Sequence, residues 1–202
     1  MIVYVESNFV LELARLQEDH QECEDILELA EANSITLMLP DFSVGEPYET
    51  WVRHDKRRKE LREKLRSEIR ELTRSKPYQE LAQGLQNLAD LFVQSSEEEK
   101  MRLDVALSRL LGTVNIIPID VNIMREAIQF QRTLDLSPQD SIVYASILSE
   151  LKAGENKNAC FITKNSKDFL NPSIYSELSS YDCRLLTTFR DGLGFIRSQL
   201  PS

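Results

Sequence analysis

Apolar positions along the chain alternate between two periods. Residues 2–5 are a short β-branched and aromatic run, suited to a strand buried on both faces. Ser7 then offers a helix cap, and Phe9, Val10, Leu13 and Leu16 recur at helical spacing. A second helix is predicted over about 19–32, with Cys23, Ile26, Leu27 and Ala30 on one face, and a strand over 35–39, stopped by Pro40. From about 42 to 111 the pattern is helical with breaks. Leu61, Leu65, Ile69 and Leu72 mark one stripe that Pro77 ends, and Leu81, Leu85, Leu88 and Phe92 mark another. Ser96 with Glu99 reads as a capping box, and Gly112 as a C-cap.

The second half alternates more regularly. Strands are predicted over 114–119, 159–163 and 183–187, and helices over 121–134, from Ser137–Pro138 to about 152, over 172–179 and over 189–199. Residues 152–158 read as a polar turn. Strands alternating with helices imply an α/β fold, a three-layer sandwich with a mostly parallel sheet covered by helices on both faces. At 202 residues this is one domain, 1–202, and the helices over about 53–112 read as an insertion within it.

Charge changes this picture only locally. The formal net charge is −9, which by itself disfavours nucleic acid as a partner. Between Arg53 and Lys76, however, 11 Lys and Arg face 5 acids, a surplus of six that leaves the rest of the chain at −15. A solvated helix with i,i+4 pairs such as Glu60–Lys64 is one reading; a basic arm meeting phosphates through Arg53, Arg57, Arg58 and Arg62 is the other. Three separated cysteines (Cys23, Cys160, Cys183) suggest reduced, buried thiols and a cytoplasmic setting, without a zinc site. No apolar run is long enough to cross a membrane, and the opening residues do not read as a signal peptide. His20 and His54 lie in charged surroundings with no catalytic motif around them.

Ligands of an open parallel sheet bind outside the carboxyl ends of its strands, so acids placed there are informative. Glu6 follows the first strand, and Glu46 lies in the first turns after the second. Asp140 follows Ser137–Pro138, and Asp168 follows the strand over 159–163. Singly, Glu46 and Asp140 also fit helix-capping patterns. As a set, four crowded carboxylates would repel one another unless a hard divalent cation, Mg²⁺ or Mn²⁺, joined them. Such a site activates water and stabilises charge on a phosphodiester.

These segments resemble the PIN domain, the nuclease fold of VapC-type toxins and of many RNA-processing enzymes. Glu6-Ser7-Asn8 is similar to the opening acidic motif of that family, and Phe42 to Glu46 to its second element. Leu136 to Ala145 is similar to the third, and Phe161 to Phe169, with Thr163, Asn165 and Asp168, to the fourth. The resemblance implies an endoribonuclease using Mg²⁺ or Mn²⁺ held by Glu6, Glu46, Asp140 and Asp168. Ser7, Asn8, Thr163 and Asn165 then support these acids. It also implies an RNA substrate, a homodimer and, for the toxin branch, an antitoxin partner. Where the family places Asp, this chain has Glu6, one methylene longer. A second reading therefore stands beside the first: a PIN-like scaffold that binds RNA or protein through its insertion.

Overall fold

In the computed structural model, which describes residues 1–154 and 158–200, the short apolar runs become strands and the 3.6-period stretches become helices. In chain order the elements are β1 (Ile2–Tyr4), α1 (Ser7–Arg15), α2 (His20–Glu31), β2 (Thr36–Pro40), α3 (Phe42–Thr73), α4 (Gln79–Gly84), α5 (Gln86–Thr113) and β3 (Asn115–Ile117). They continue with α6 (Val121–Thr133), α7 (Pro138–Ala153), β4 (Ala159–Ile162), α8 (Ser166–Phe169), α9 (Pro172–Ser180), β5 (Cys183–Leu186) and α10 (Phe189–Gln199). Of the polar turn expected over 152–158, residues 155–157 lie outside the described residues.

The strands pair in parallel in the order β3-β2-β1-β4-β5, with Val3 beside Leu37 on one side and Cys160 on the other. Pleating sorts their side chains into two cores. Val3, Val5, Leu37, Leu39, Cys160 and Ile162 pack with α1, α2, α5 and α10, whereas Tyr4, Met38, Phe161 and Leu185 pack with α7 and α9. Helices thus cover both faces, the expected α/β sandwich. All three cysteines are buried and unpaired, as their spacing suggested.

The chain leaves β1 and β4 in opposite directions along the sheet, so its switch point lies between these central strands. That is where a doubly wound sheet opens a crevice.

The helical stretch departs most from its sequence pattern. α3 starts at Phe42, where the pattern turns helical, and runs without a break through 53 to Thr73, ending before Pro77. Of its apolar stripe only Ile69 is buried, while Leu61 and Leu72 are exposed. The expected capping box is not one: Ser96 and Glu99 lie inside α5, both buried. The Ser96 hydroxyl donates to Asp55 Oδ1 at 2.8 Å. Glu99 accepts from Arg15 Nε at 2.8 Å and Arg58 Nη1 at 2.7 Å. The same residue types that cap a helix are used here to join α1, α3 and α5. Gly112 is likewise inside α5, which ends with Val114 in extended conformation as its C-cap.

Candidate active site

β1 delivers the chain to Glu6, whose extended backbone makes it, and not Ser7, the N-cap of α1. A cap must satisfy orphan N–H groups of the first helical turn, so its side chain folds back. Oε2 accepts from the Asn8 amide N–H at 2.9 Å and from the Ser7 hydroxyl at 3.0 Å. Oε1 accepts from Asn8 Nδ2 at 2.7 Å and from the Thr163 hydroxyl at 3.0 Å. Thr163 stands just past β4, so the longer Glu side chain carries this last bond across the switch point. The carboxylate is only 5% exposed. Burial pushes its pKa up, and the hydrogen bonds from Asn8, Thr163 and Ser7 offset that in part. Every one of these donors is neutral.

Ser137 caps α7 and, in doing so, fixes Asp140. Its hydroxyl oxygen accepts from the Asp140 N–H at 3.1 Å and its O–H donates to Asp140 Oδ2. Asp140 Oδ1 accepts from Asn165 Nδ2 at 2.8 Å, and the Asn165 N–H donates to Thr163 Oγ1 at 2.9 Å. A continuous chain of hydrogen bonds therefore links Glu6 to Asp140 through Thr163 and Asn165. Glu46 approaches from the first turns of α3. Burial pushes its carboxyl up, and the Asp140 and Glu49 charges add to this against the Ser7 hydroxyl and Arg53.

These groups line one open cleft of about 460 Å³, bordered by Glu6, Ser7, Asn8, Glu46, Arg53, Asp140 and Asn165. Leu11 and Val143 form apolar parts of its wall. Lys164, also in the lining, turns its ammonium to buried Glu12 at 2.7 Å, with Asp19 at 3.4 Å. Burial alone would favour the neutral amine, but Glu12 and Asp19 hold it firmly protonated.

The structure thus brings Glu6, Glu46 and Asp140 together with Ser7, Asn8 and Asn165, and buries Thr163 beneath them. Asp168 is not in the lining. It lies on α8, an element the pattern did not reveal, and the residue of this segment that meets Asp140 is Asn165. Of the four arginines, only Arg53 borders the cleft. Arg58 is paired with Glu99 and Arg62 with Asp90 at 3.2 Å. Thr50 and Lys164 were not anticipated, although Thr50 stands one helical turn after Glu46 and that spacing marks it.

A family model described as PIN domain matches residues 3–169, which include every cleft residue named above. The chain belongs to the PIN domain family. PIN domains are in general metal-dependent nucleases. No curated protein and no solved structure matches the chain.

The donor set of this PIN domain can be weighed against a divalent ion. Among the described residues no three Asp, Glu, His or Cys side chains stand close enough to chelate one by themselves. Mg²⁺ does not require that, because it keeps several waters and takes one or two carboxylates besides its substrate. Glu46 and Asp140 fit this demand: both line the cleft, and the Asp140 charge already raises Glu46. Both Glu6 oxygens accept from protein donors, so its carboxylate is engaged with Ser7, Asn8 and Thr163. No helix among the described residues is long and apolar enough to cross a membrane.

Proposed function

We propose that this PIN domain is an endoribonuclease whose cleft holds a divalent ion, Mg²⁺ or Mn²⁺, on Glu46 and Asp140, with the Glu6 charge behind them. One observation carries the proposal: three carboxylates from distant parts of the chain line one cleft at the sheet's switch point, and no Lys or Arg forms an ion pair with any of them among the described residues. Like charges so placed favour a cation between them. The ion, when bound, would lower the pKa of a water and stabilise charge on the scissile phosphate.

The chain's own residues do the rest. Ser137 and Asn165 fix the Asp140 carboxylate by one hydrogen bond to each oxygen. Thr163 and Asn8 hold Glu6, and through Asn165 they tie its position to that of Asp140. Arg53, at the rim, would attract a phosphate and lower the cost of bringing a polyanion to an acidic cleft. Asp168 has no part in this set. A toxin role, an antitoxin and a homodimer rest on the family resemblance alone.

The test is cleavage of single-stranded and structured RNA with Mg²⁺, Mn²⁺ or EDTA, beside Asp140→Asn. Metal-dependent cutting that falls by more than ~100-fold in the variant is expected, since even outer-shell changes at metal sites cost 10–100-fold. Folded protein that binds RNA and cuts with neither ion would instead establish the scaffold reading.

A further inference from the structure

The basic helix α3 does not present its charge uniformly. Arg58, Arg62 and Arg66 recur every fourth residue and all face α5: Arg58 meets Glu99 at 2.7 Å, and Arg62 and Arg66 share Asp90 at 3.2 and 2.6 Å. A different edge begins in the cleft itself. Glu46, Thr50 and Arg53 line the cleft, and the spacing of 4, 3, 4 and 7 residues continues that edge through Arg57 to Lys64. Arg53, Arg57 and Lys64 are exposed, and no ion pair among the described residues includes any of them. Glu60 stands on this edge between Arg57 and Lys64, three residues after the one and four before the other, and Glu68 and Glu71 follow Lys64 on it, so the cationic part ends there.

We propose that the edge of α3 bearing Arg53, Arg57 and Lys64 is a track for the phosphates of a single RNA strand running outward from the cleft, and that the edge bearing Arg58, Arg62 and Arg66 is a seam holding α3 to α5. This rests on the nuclease reading above for the polarity of the track, since the cleft is its inner end. At ~1.5 Å per residue, Glu46 to Lys64 spans roughly 27 Å, room for on the order of four nucleotides of extended strand. One narrow edge, with Arg53 and Arg57 adjacent and Lys64 beyond Glu60, suits one backbone rather than two. The track carries no aromatic side chain for bases to stack on, so its binding is blind to sequence and steeply dependent on salt. Two guanidiniums of the seam share one aspartate, and a phosphate could reach them only by displacing a carboxylate already in place.

The experiment measures binding of fluorescently labelled oligouridylates of 2 to 12 nucleotides in EDTA, at several salt concentrations, so that cleavage plays no part. Wild-type affinity is expected to rise with length over the first several nucleotides and then level off. The double variant Arg57→Gln/Lys64→Gln should bind the longer oligomers about tenfold more weakly at low salt. Its salt slope should be reduced by about 1.4, at ~0.7 for each phosphate no longer neutralised. Its melting temperature should match wild type. Arg58→Gln/Arg62→Gln should lower the melting temperature and leave the slope unchanged. An unchanged slope in Arg57→Gln/Lys64→Gln overturns the track, as does equal weakening by the two double variants without loss of stability. Duplex RNA binding as tightly as single strand overturns the single-strand assignment. Polyglutamate binding through Arg57 and Lys64 while RNA binding ignores them would assign the edge to an acidic protein instead. Cleavage by wild type with no track effect leaves the nuclease reading intact, whereas a track without cleavage removes that reading and keeps the surface.

Discussion

Glu6 and Glu99 are both buried carboxylates, 5% and 4% exposed, and the molecule treats them in opposite ways. Glu99, in α5, is met by two guanidiniums, Arg15 from α1 and Arg58 from α3. Burial alone would raise its pKa, but these bonds outweigh burial and hold it below the ordinary carboxylate range. Glu6, at the end of β1, is met only by neutral donors, and burial leaves it raised. The difference separates structure from function. A carboxylate neutralised by arginine has little field left for a ligand, so Glu99 serves as a joint between helices. A carboxylate met only by hydroxyls and amides has no counter-charge in the protein, so a cation in the cleft can supply one.

The sharpest way to break this contrast is to remove each charge with its shape retained. Glu6→Gln should abolish divalent-dependent cleavage to below ~1% of wild type, as loss of a metal-site carboxylate costs at least as much as loss of an outer partner. Its folding stability should change by no more than about 1 kcal/mol, the value of a single hydrogen bond. The new amide can donate to the Thr163 hydroxyl oxygen and, once the Asn8 carboxamide flips, to Asn8 Oδ1, while its carbonyl keeps the Asn8 N–H. Glu99→Gln should do the reverse. It leaves two partly buried guanidiniums short of a counter-charge and should cost about 3 kcal/mol by chemical denaturation, in the range for breaking a buried pair. Activity per folded molecule should be nearly kept. Equal stability losses in both variants would mean that Glu6, too, is chiefly a joint.

The same contrast explains what is legible in the sequence. The sheet half reads well because its strands are apolar on both faces and its helices carry one apolar stripe or, in α7, are buried on most sides, so pattern and burial coincide. Glu6, Glu46 and Asp140 stand out by their places at strand ends and helix starts, without any pairing information. The α3–α5 region reads badly because, away from the core contacts of Leu103, Leu107 and Leu110, ion pairs join the two helices where the apolar stripes do not: Leu61, Leu72, Leu81 and Leu88 stay exposed, while Ser96 and Glu99 go inside. Periodicity records apolar faces and is silent on which arginine meets which acid 41 residues away. Asp168 stands outside the cleft lining for a different reason. The strand-end rule counts acids, yet here the side chain that reaches Asp140 is the amide of Asn165, three residues earlier, while Asp168 lies on the short helix α8.

A smaller perturbation tests why the first acid is Glu. Glu6→Asp keeps the charge and, as a good cap, keeps the Asn8 N–H, but it retracts the carboxylate by ~1 Å. The bond to Thr163 is then out of reach, at a cost of about 1.5 kcal/mol for a hydrogen bond to a charged group. The link from β1 to Asn165 and Asp140 breaks with it. Mn²⁺ affinity, read by calorimetry, should fall, and Thr163→Val should reproduce both losses. A stabilised and more active Glu6→Asp would show that the longer side chain is a defect here and not a strut.

The smallest effect separates the two kinds of carboxylate by pH alone. Glu46 has a raised pKa in the folded protein, so its ionised form is penalised by folding. That penalty is present at neutral pH and disappears as pH falls through the raised value toward the ordinary glutamate pKa of about 4.3. Glu99 has a lowered pKa, so its contribution is present above the ordinary value and is lost only as pH falls through the depressed one. In metal-free protein, Glu46→Gln should therefore be slightly more stable than wild type at pH 7, and the gap should close on acidification. The deficit of Glu99→Gln should persist to lower pH before it shrinks. Divalent binding follows Glu46 and not Glu99, because the ion competes with the proton held there. Its acid limb should lie above the ordinary value of about 4.3 and should survive in Glu99→Gln. If Glu46→Gln were destabilised at pH 7 in the absence of metal, the carboxylate would already be satisfied by the protein, and the cleft would have no unmet charge to offer a cation.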